Sequence, residues 1–209
     1  MVIIGAKGFA KEILEIFDQL NQLENLVFFD NVSNDLPNYL FERFPVLKSE
    51  IEIRDYFHEN GNTFTLGVGN PKVRKSLGEL VKKWGGEMES VVSPFARIGS
   101  FDNIIGKGSS IMTGTVMTNN IFVGEGCLIN LNCTIGHDSY IGSYSELSPG
   151  VHISGNVKIG ESCFIGTGAV VLPGIQIGDN CVIGAGTLVT KNVTNNMKVI
   201  GVPGISKHL

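Results

Sequence analysis

Four histidines occur in the 209 residues, and one of them, His137, is followed directly by a carboxylate, Asp138. An imidazole has an ordinary pKa of about 6.5, which lets it take up and release a proton near neutrality. Eighteen residues further on stands Gly155. With no side chain, a glycine lets a ligand come close to its backbone, and its N–H can serve as a hydrogen-bond donor to developing negative charge. A second candidate site lies near the N-terminus. Val2–Ile4 reads as a short apolar strand, and Gly5-Ala6-Lys7-Gly8-Phe9-Ala10 leads from it into a helical pattern. Such a turn can cradle phosphate with backbone N–H groups and the helix dipole. Ala10 replaces the third glycine of the dinucleotide fingerprint, so ordinary strand–helix turn chemistry explains it equally well. Asp30, at the end of the second strand, could be read as a ribose partner, but the segment is too short for a full dinucleotide fold.

A period of six connects His137 with Gly155. From Ile105 to Val189 every sixth residue is a medium-to-large aliphatic or a methionine, fifteen in succession, and eight of the fifteen are followed by glycine. These residue types fill about three in ten positions of ordinary chains, so chance does not produce the series. A period of six is not helical. It suits a repeating β-coil in which each short strand turns one large and one small side chain inward. Three hexads make a triangular coil of eighteen residues, and fifteen hexads give about five coils stacked at roughly 4.8 Å. Residues eighteen apart then sit above one another, with Gly155 over His137 and Asn119 beneath it. His137 lies two residues after Ile135, in the solvent-facing part of its hexad. Cys127, Cys133, Cys163 and Cys181 each fall four after a repeat aliphatic, in the small inward slot. They read as buried, reduced thiols, as expected of a cytoplasmic protein.

The first ninety residues lack this period. Phe9, Ile13, Ile16, Phe17 and Leu20 recur at helical spacing, and Leu26–Phe29 and Phe64–Val68 read as further strands. Pro71 suits the first turn of a helix running to about Lys83. Residues 31–62 are ambiguous, broken by Pro37 and Pro45. The alternation predicts a Rossmann-like βαβ domain over residues 1–90. A parallel β-helix over 91–195 follows, with an irregular first coil because Ile98 to Ile105 is seven residues, and then a C-terminal tail over 196–209. The formal charge of −4 and pI near 5.6, with no Lys/Arg block, argue against nucleic acid or an anionic membrane as partner. Neither a signal peptide nor a membrane span is expected.

The stretch GHDSYIGSYSELSPGVHISGNVKIG, from Gly136 to Gly160, resembles bacterial nucleotide-sugar N-acetyltransferases and their sialic-acid O-acetyltransferase-like relatives, which are left-handed β-helix, hexapeptide-repeat enzymes. GAKGFA, Phe29-Asp30-Asn31, GVGNPKVR around Gly69 and the closing GVPG at Gly201 are similar to that family too, in the same order along nearly the whole chain. The resemblance implies left-handed coiling and acetyl-CoA as the acyl donor. It implies His137 as proton acceptor, Asp138 as the acid that raises its basicity, and the Gly155 N–H directed at acetyl-CoA. Thr167 and Ala185, one and two coil steps above Pro149, become acetyl-CoA contacts. Lys7, Gly8, Phe9, Asp30, Asn31 and Gly69 become contacts of a nucleotide sugar, UDP- or GDP-linked.

Two positions depart from the family. Phe9 replaces a histidine of close relatives. Glu146 stands where the best-matched relatives carry a second histidine that contacts acetyl-CoA. It lies half a coil from His137, so the two could share a site only across a subunit boundary. The resemblance implies a homotrimer with sites between neighbouring helices, and Glu146 reads either as a cofactor contact in the next protomer's site or as a solvated carboxylate. The expected activity is N-acetylation of a nucleotide-linked amino sugar. Sugar O-acetylation and a non-catalytic β-helix scaffold are the alternatives. A zinc site needs about three converging histidines. Only His137 and His152 lie in the repeats, so no metal is expected; His152 and His58 read as surface residues.

Overall fold

The computed structural model describes residues 1–209 as an α/β domain docked on one side of a three-faced β-prism. The domain runs β1 (Val2–Ile4), α1 (Gly8–Gln19), β2 (Val27–Phe29), β3 (Tyr39–Leu40), β4 (Phe44–Leu47), α2 (Glu50–Asn60), β5 (Thr63–Leu66), α3 (Pro71–Lys83) and β6 (Glu87–Met88). Its strand order is β3-β4-β2-β1-β5-β6, with only the β3–β4 pair antiparallel. Both faces of this sheet are covered, which is why β1 and β2 are apolar without alternation. α1 packs Ile13, Ile16 and Phe17 on one side of the sheet, while Ile53 and Phe57 of α2 and Val81 of α3 close the other.

The ambiguous stretch 31–62 resolves into the β3–β4 hairpin and α2. Proline 45 is accommodated inside β4, opposite Tyr39. α2 opens with the pattern of a capping box: Ser49 Oγ accepts the Glu52 N–H at 3.3 Å, and the Glu52 carboxylate reaches back to the Lys48 N–H at 2.8 Å.

The prism begins at Val91, directly after β6. Its three parallel sheets contain eight, six and five strands; the eight-stranded one includes the C-terminal hairpin. Call the faces by their strands: the first holds Ser110–Ile111, Leu128–Ile129, Glu146–Leu147 and Phe164–Ile165; the second Val116–Met117, Thr134–Ile135, His152–Ile153, Val170–Val171 and Leu188–Val189; the third Phe122–Val123, Tyr140–Ile141 and Lys158–Ile159. Partners are offset by eighteen residues, as in Ile135↔Ile153 and Ile141↔Ile159. In the first coil the offset is nineteen, Ile98↔Met117, because the seven-residue step adds one residue at the corner before Asn103. The repeat aliphatics and the four cysteines fill the interior, and the thiols are free. Glycine follows an aliphatic where the next coil passes too close for a side chain: a Cβ on Gly142 would stand 2.4 Å from the carbonyl carbon of Gly160.

The C-terminal residues are ordered sheet. Met197–Ile200 continues the first face beside Val182–Ile183, and Ile205–His208 returns antiparallel to it. No helix is long and apolar enough to cross a membrane.

The first face carries the α/β domain. Ala10, Ile13 and Phe17 share one apolar cluster with Val91, Met112 and Leu128. At one edge Gln19 meets Ser93 and Thr113. At the other edge Arg74, 1% exposed, acts as a staple. It donates to Gly126 O at 2.8 Å, Tyr144 O at 3.0 Å and Ser145 O at 3.1 Å on the prism, and to Val68 O at 3.2 Å and to Gly69 O on its own domain. Its charge faces Glu146 at 3.7 Å. Removing one partner of a buried pair costs about 3–5 kcal/mol. Arg74→Ala should therefore lower unfolding stability by that amount in urea denaturation, and a loss below about 1 kcal/mol would mean the seam holds without it.

Candidate active site

His137 sits in the corner where the second face turns into the third. The following residue, Asp138, adopts a left-handed backbone with φ of 58°, and its N–H donates to Asn119 O on the coil below at 3.2 Å. The turn swings the carboxylate back beside the imidazole, with Nδ1 and Oδ2 2.6 Å apart. Asp138 Oδ1 accepts a second bond from Asn120 Nδ2, also at 2.6 Å. The His137 imidazole, and then the Asn120 amide, hold the Asp138 carboxyl below the usual carboxylate range. An ionised Asp138 keeps the proton of a neutral imidazole on Nδ1, which leaves Nε2 as a free acceptor.

Nε2 faces Gly155. A Cβ placed on that glycine would lie 2.6 Å from Nε2 and 2.8 Å from Cε1, so the ring rests against a surface only glycine provides. The coil ladder holds this corner from both sides: Asn156 N–H donates to His137 O at 2.8 Å, and Gly155 O accepts from Gly174 N–H at 3.1 Å. The Gly155 N–H itself has no acceptor within the protein. A proton acceptor and a free amide donor thus stand side by side on adjacent coils, with the imidazole largely open to solvent. His152 lies on the second face and bonds Thr134 on the coil below at 2.8 Å, away from His137.

Thr167 and Ala185 form a column above Pro149, joined by Gly168 N–H to Pro149 O at 3.0 Å and Gly186 N–H to Thr167 O at 2.8 Å. Both are exposed, but at the corner between the first and second faces. Within one chain they do not meet His137; the two columns border opposite edges of the second face. Glu146 is not the solvated carboxylate that remained open as a reading. It is 7% exposed at the domain seam, its Oε2 sealed beside Arg74 and its Oε1 receiving Ser148 Oγ at 3.2 Å. Burial raises its pKa. Its carboxylate serves the seam, and sequence spacing gave no hint of this because the partner, Arg74, belongs to the other domain.

In the α/β domain, the carboxyl ends of β1, β2 and β5 border a cleft of about 180 Å³ lined by Gly5, Phe29, Asp30, Asn31, Val68 and Val73. β1 lies between β2 and β5, the place where open α/β sheets bind ligands. Gly5, at φ 104°, is required here, since a Cβ would sit 2.9 Å from Gly67 O. Gly8 opens α1 with no heavy atom within 4 Å of where a Cβ would be, and no side chain caps the helix. Its first turn has no side-chain acceptor for its N–H groups. Lys7 is exposed and pairs with Asp35 at 3.1 Å. Phe9 is half-buried and Asn31 exposed. Asp30 shapes its own loop, Oδ1 accepting from Val32 N–H at 3.1 Å and Ser33 N–H at 2.9 Å. Gly69 lies over Glu146, whose Oε2 would be 3.9 Å from a Cβ there.

The family model of the PglD N-terminal domain matches residues 1–81, and that of the bacterial transferase hexapeptide (six repeats) matches residues 156–191. No curated protein matches the sequence. Among solved structures, perosamine N-acetyltransferase from Caulobacter crescentus, in complex with CoA and GDP-perosamine, is 25% identical with a TM-score of 0.91, over 100% of this chain and 96% of that one. The acetyltransferase domain of PglB from Neisseria gonorrhoeae, in complex with acetyl coenzyme A, is 29% identical with a TM-score of 0.89, over 100% and 98%. WeeI from Acinetobacter baumannii is 29% identical with a TM-score of 0.86, over 99% and 98%. Over these full lengths the chain shares the fold of nucleotide-sugar acetyltransferases, and it combines a PglD N-terminal domain with the hexapeptide repeats of bacterial transferases.

Proposed function

We propose that the protein transfers an acetyl group from acetyl-CoA to the amino group of a nucleotide-linked amino sugar, with His137 as general base. The observation that carries this reading is the stacking of the Nδ1-anchored imidazole on Gly155. The amine attacks the thioester carbonyl while Nε2 takes its proton. The oxyanion that forms is stabilised by the Gly155 N–H. The C–S bond then breaks, and the imidazolium returns the proton to the departing thiolate. No acyl-enzyme is needed. The cysteines are poor nucleophiles, since burial pushes Cys127 and Cys133 up to about 11 and Cys163 up to about 12.

The nucleotide sugar is assigned to the cleft at β1, β2 and β5, its diphosphate at the open start of α1 around Lys7, Gly8 and Phe9, with Asp30, Asn31 and Gly69 at the rim. Acetyl-CoA is assigned to the Thr167–Ala185 column. The α/β domain and His137 lie on opposite sides of one prism, and the two columns flank the same face. A homotrimer with its second faces toward the threefold axis brings His137 of one copy beside Thr167 and Ala185 of the next. The outward side chains of that face are Val116, Thr134, His152, Val170 and Leu188 in succession. The perosamine enzyme's N-acetylation, at 25% identity, favours an amine over a hydroxyl acceptor.

His137→Ala should lower kcat by about two to four decades while nucleotide-sugar binding stays nearly intact. Steady-state kinetics with acetyl-CoA and UDP- and GDP-linked amino sugars, with mass spectrometry of the amide product, checks this; full turnover by the variant would remove His137 from the mechanism. Gly155→Ala has no backbone penalty, since its φ is not left-handed, yet its methyl displaces the imidazole. Its kcat should fall about a hundredfold with a melting temperature within about 2 °C of wild type. An equal loss of fold and activity would instead mark Gly155 as structural.

A further inference from the structure

Asn120 lies directly below Asp138 and is the other partner of its carboxylate. The two belong to a column at the His137 corner, Asp102, Asn120, Asp138, Asn156 and Gly174, in which every residue has a left-handed backbone with φ between 53° and 74°. Asn, Asp and Gly tolerate that conformation best, which restricts each step to an amide, an acid or no side chain. Coils repeat at roughly 4.8 Å, so two acids on successive steps would repel. An amide between Asp102 and Asp138 avoids this and can donate.

We propose that Asn120 is a positioning residue of the reaction: its amide clamps Oδ1 of Asp138 so that Oδ2 holds His137 in the tautomer and rotamer that present Nε2 to Gly155. The geometry is a continuous line, Nδ2 to Oδ1 at 2.6 Å and Oδ2 to Nδ1 at 2.6 Å. All three side chains are at the solvent-exposed corner. An exposed carboxylate beside an exposed imidazole has several rotamers available, and one hydrogen bond alone does not select between them. The second, from a neighbouring coil whose backbone is fixed by the sheet, does. The other titratable groups around the clamp are Asp102, one coil below, and Tyr140, which borders the same shallow groove. Asn120 itself touches neither His137 nor Gly155, so it acts through Asp138. The inference rests on the proposed role of His137, but the first arm of its test does not depend on any activity.

Asn120→Gly keeps the left-handed backbone, as Gly174 does two coils above Asp138 in the same column, and deletes only the amide. In nitrogen NMR of the substrate-free protein, with the His137 signal identified by its loss in His137→Gln, wild type should hold the Nδ1–H tautomer alone. The Asn120→Gly protein should show a mixture of tautomers, as a free imidazole does. In kinetics, kcat should fall about tenfold with the acceptor KM within twofold. The same change made in an Asp138→Asn background should have less than a twofold further effect. A fixed Nδ1–H tautomer in Asn120→Gly, or an undiminished tenfold loss in the Asp138→Asn background, overturns the clamp. Should no acetyl transfer be detectable in wild type, the proposed function fails while the tautomer comparison still decides the clamp.

Discussion

Parallel hydrogen bonding between successive coils ties each corner of the prism to the corner eighteen residues away, and every proposed catalytic contact is built across that step. His137 and Gly155 are far apart in sequence and belong to different coils. They touch because Ile135 pairs with Ile153 and the two following residues are carried round the same bend. Slipping the ladder by one residue would exchange inward and outward side chains in every strand. The interior therefore enforces the register: the fifteen repeat positions, fourteen aliphatics and Met117, must all face inward. Stability and chemistry share one constraint, and the nineteen-residue first coil takes its added residue at a corner below the site.

The seam between the two domains is a separate matter. Arg74 donates to carbonyls of both domains. A buried arginine with one carboxylate 3.7 Å away and five carbonyl partners fixes orientation more than it adds stability. Orientation is what the proposed chemistry needs, since the nucleotide cleft must meet an imidazole carried by another copy. Glu146 takes part in this orientation through its contact with Arg74.

Much of this was legible in the sequence, for definite reasons. The hexad, taken three to a coil, gives the register and the His137–Gly155 pair, because residues eighteen apart then stack. The βαβ reading of β1, α1, β2, β5 and α3 follows from apolar runs and helical spacing. The hairpin and α2 between residues 31 and 62 were hidden by Pro45, tolerated inside β4, and by passing over the Ser49–Glu52 cap. The C-terminal strands lack a hexad because they close the first face rather than turn another coil. Arg74 closes the GVGNPKVR segment, but an arginine is ordinarily exposed, and nothing local says that this one is sealed. Asn120 carries no signal of its own in the sequence; its meaning comes from Asp138 lying one coil above it.

The claim at the centre is that one imidazole and one peptide amide on adjacent coils form the reaction centre, completed by a second copy of the chain. The most direct measurement is a crystal structure of the oligomer with CoA and a nucleotide-linked amino sugar bound together. The account predicts the sugar amine within about 2.6–3.2 Å of His137 Nε2. It also predicts the CoA sulfur beside Gly155, with sugar and imidazole contributed by different protomers. An amine and thiol that meet elsewhere on the prism, with His137 facing bulk solvent, would contradict it.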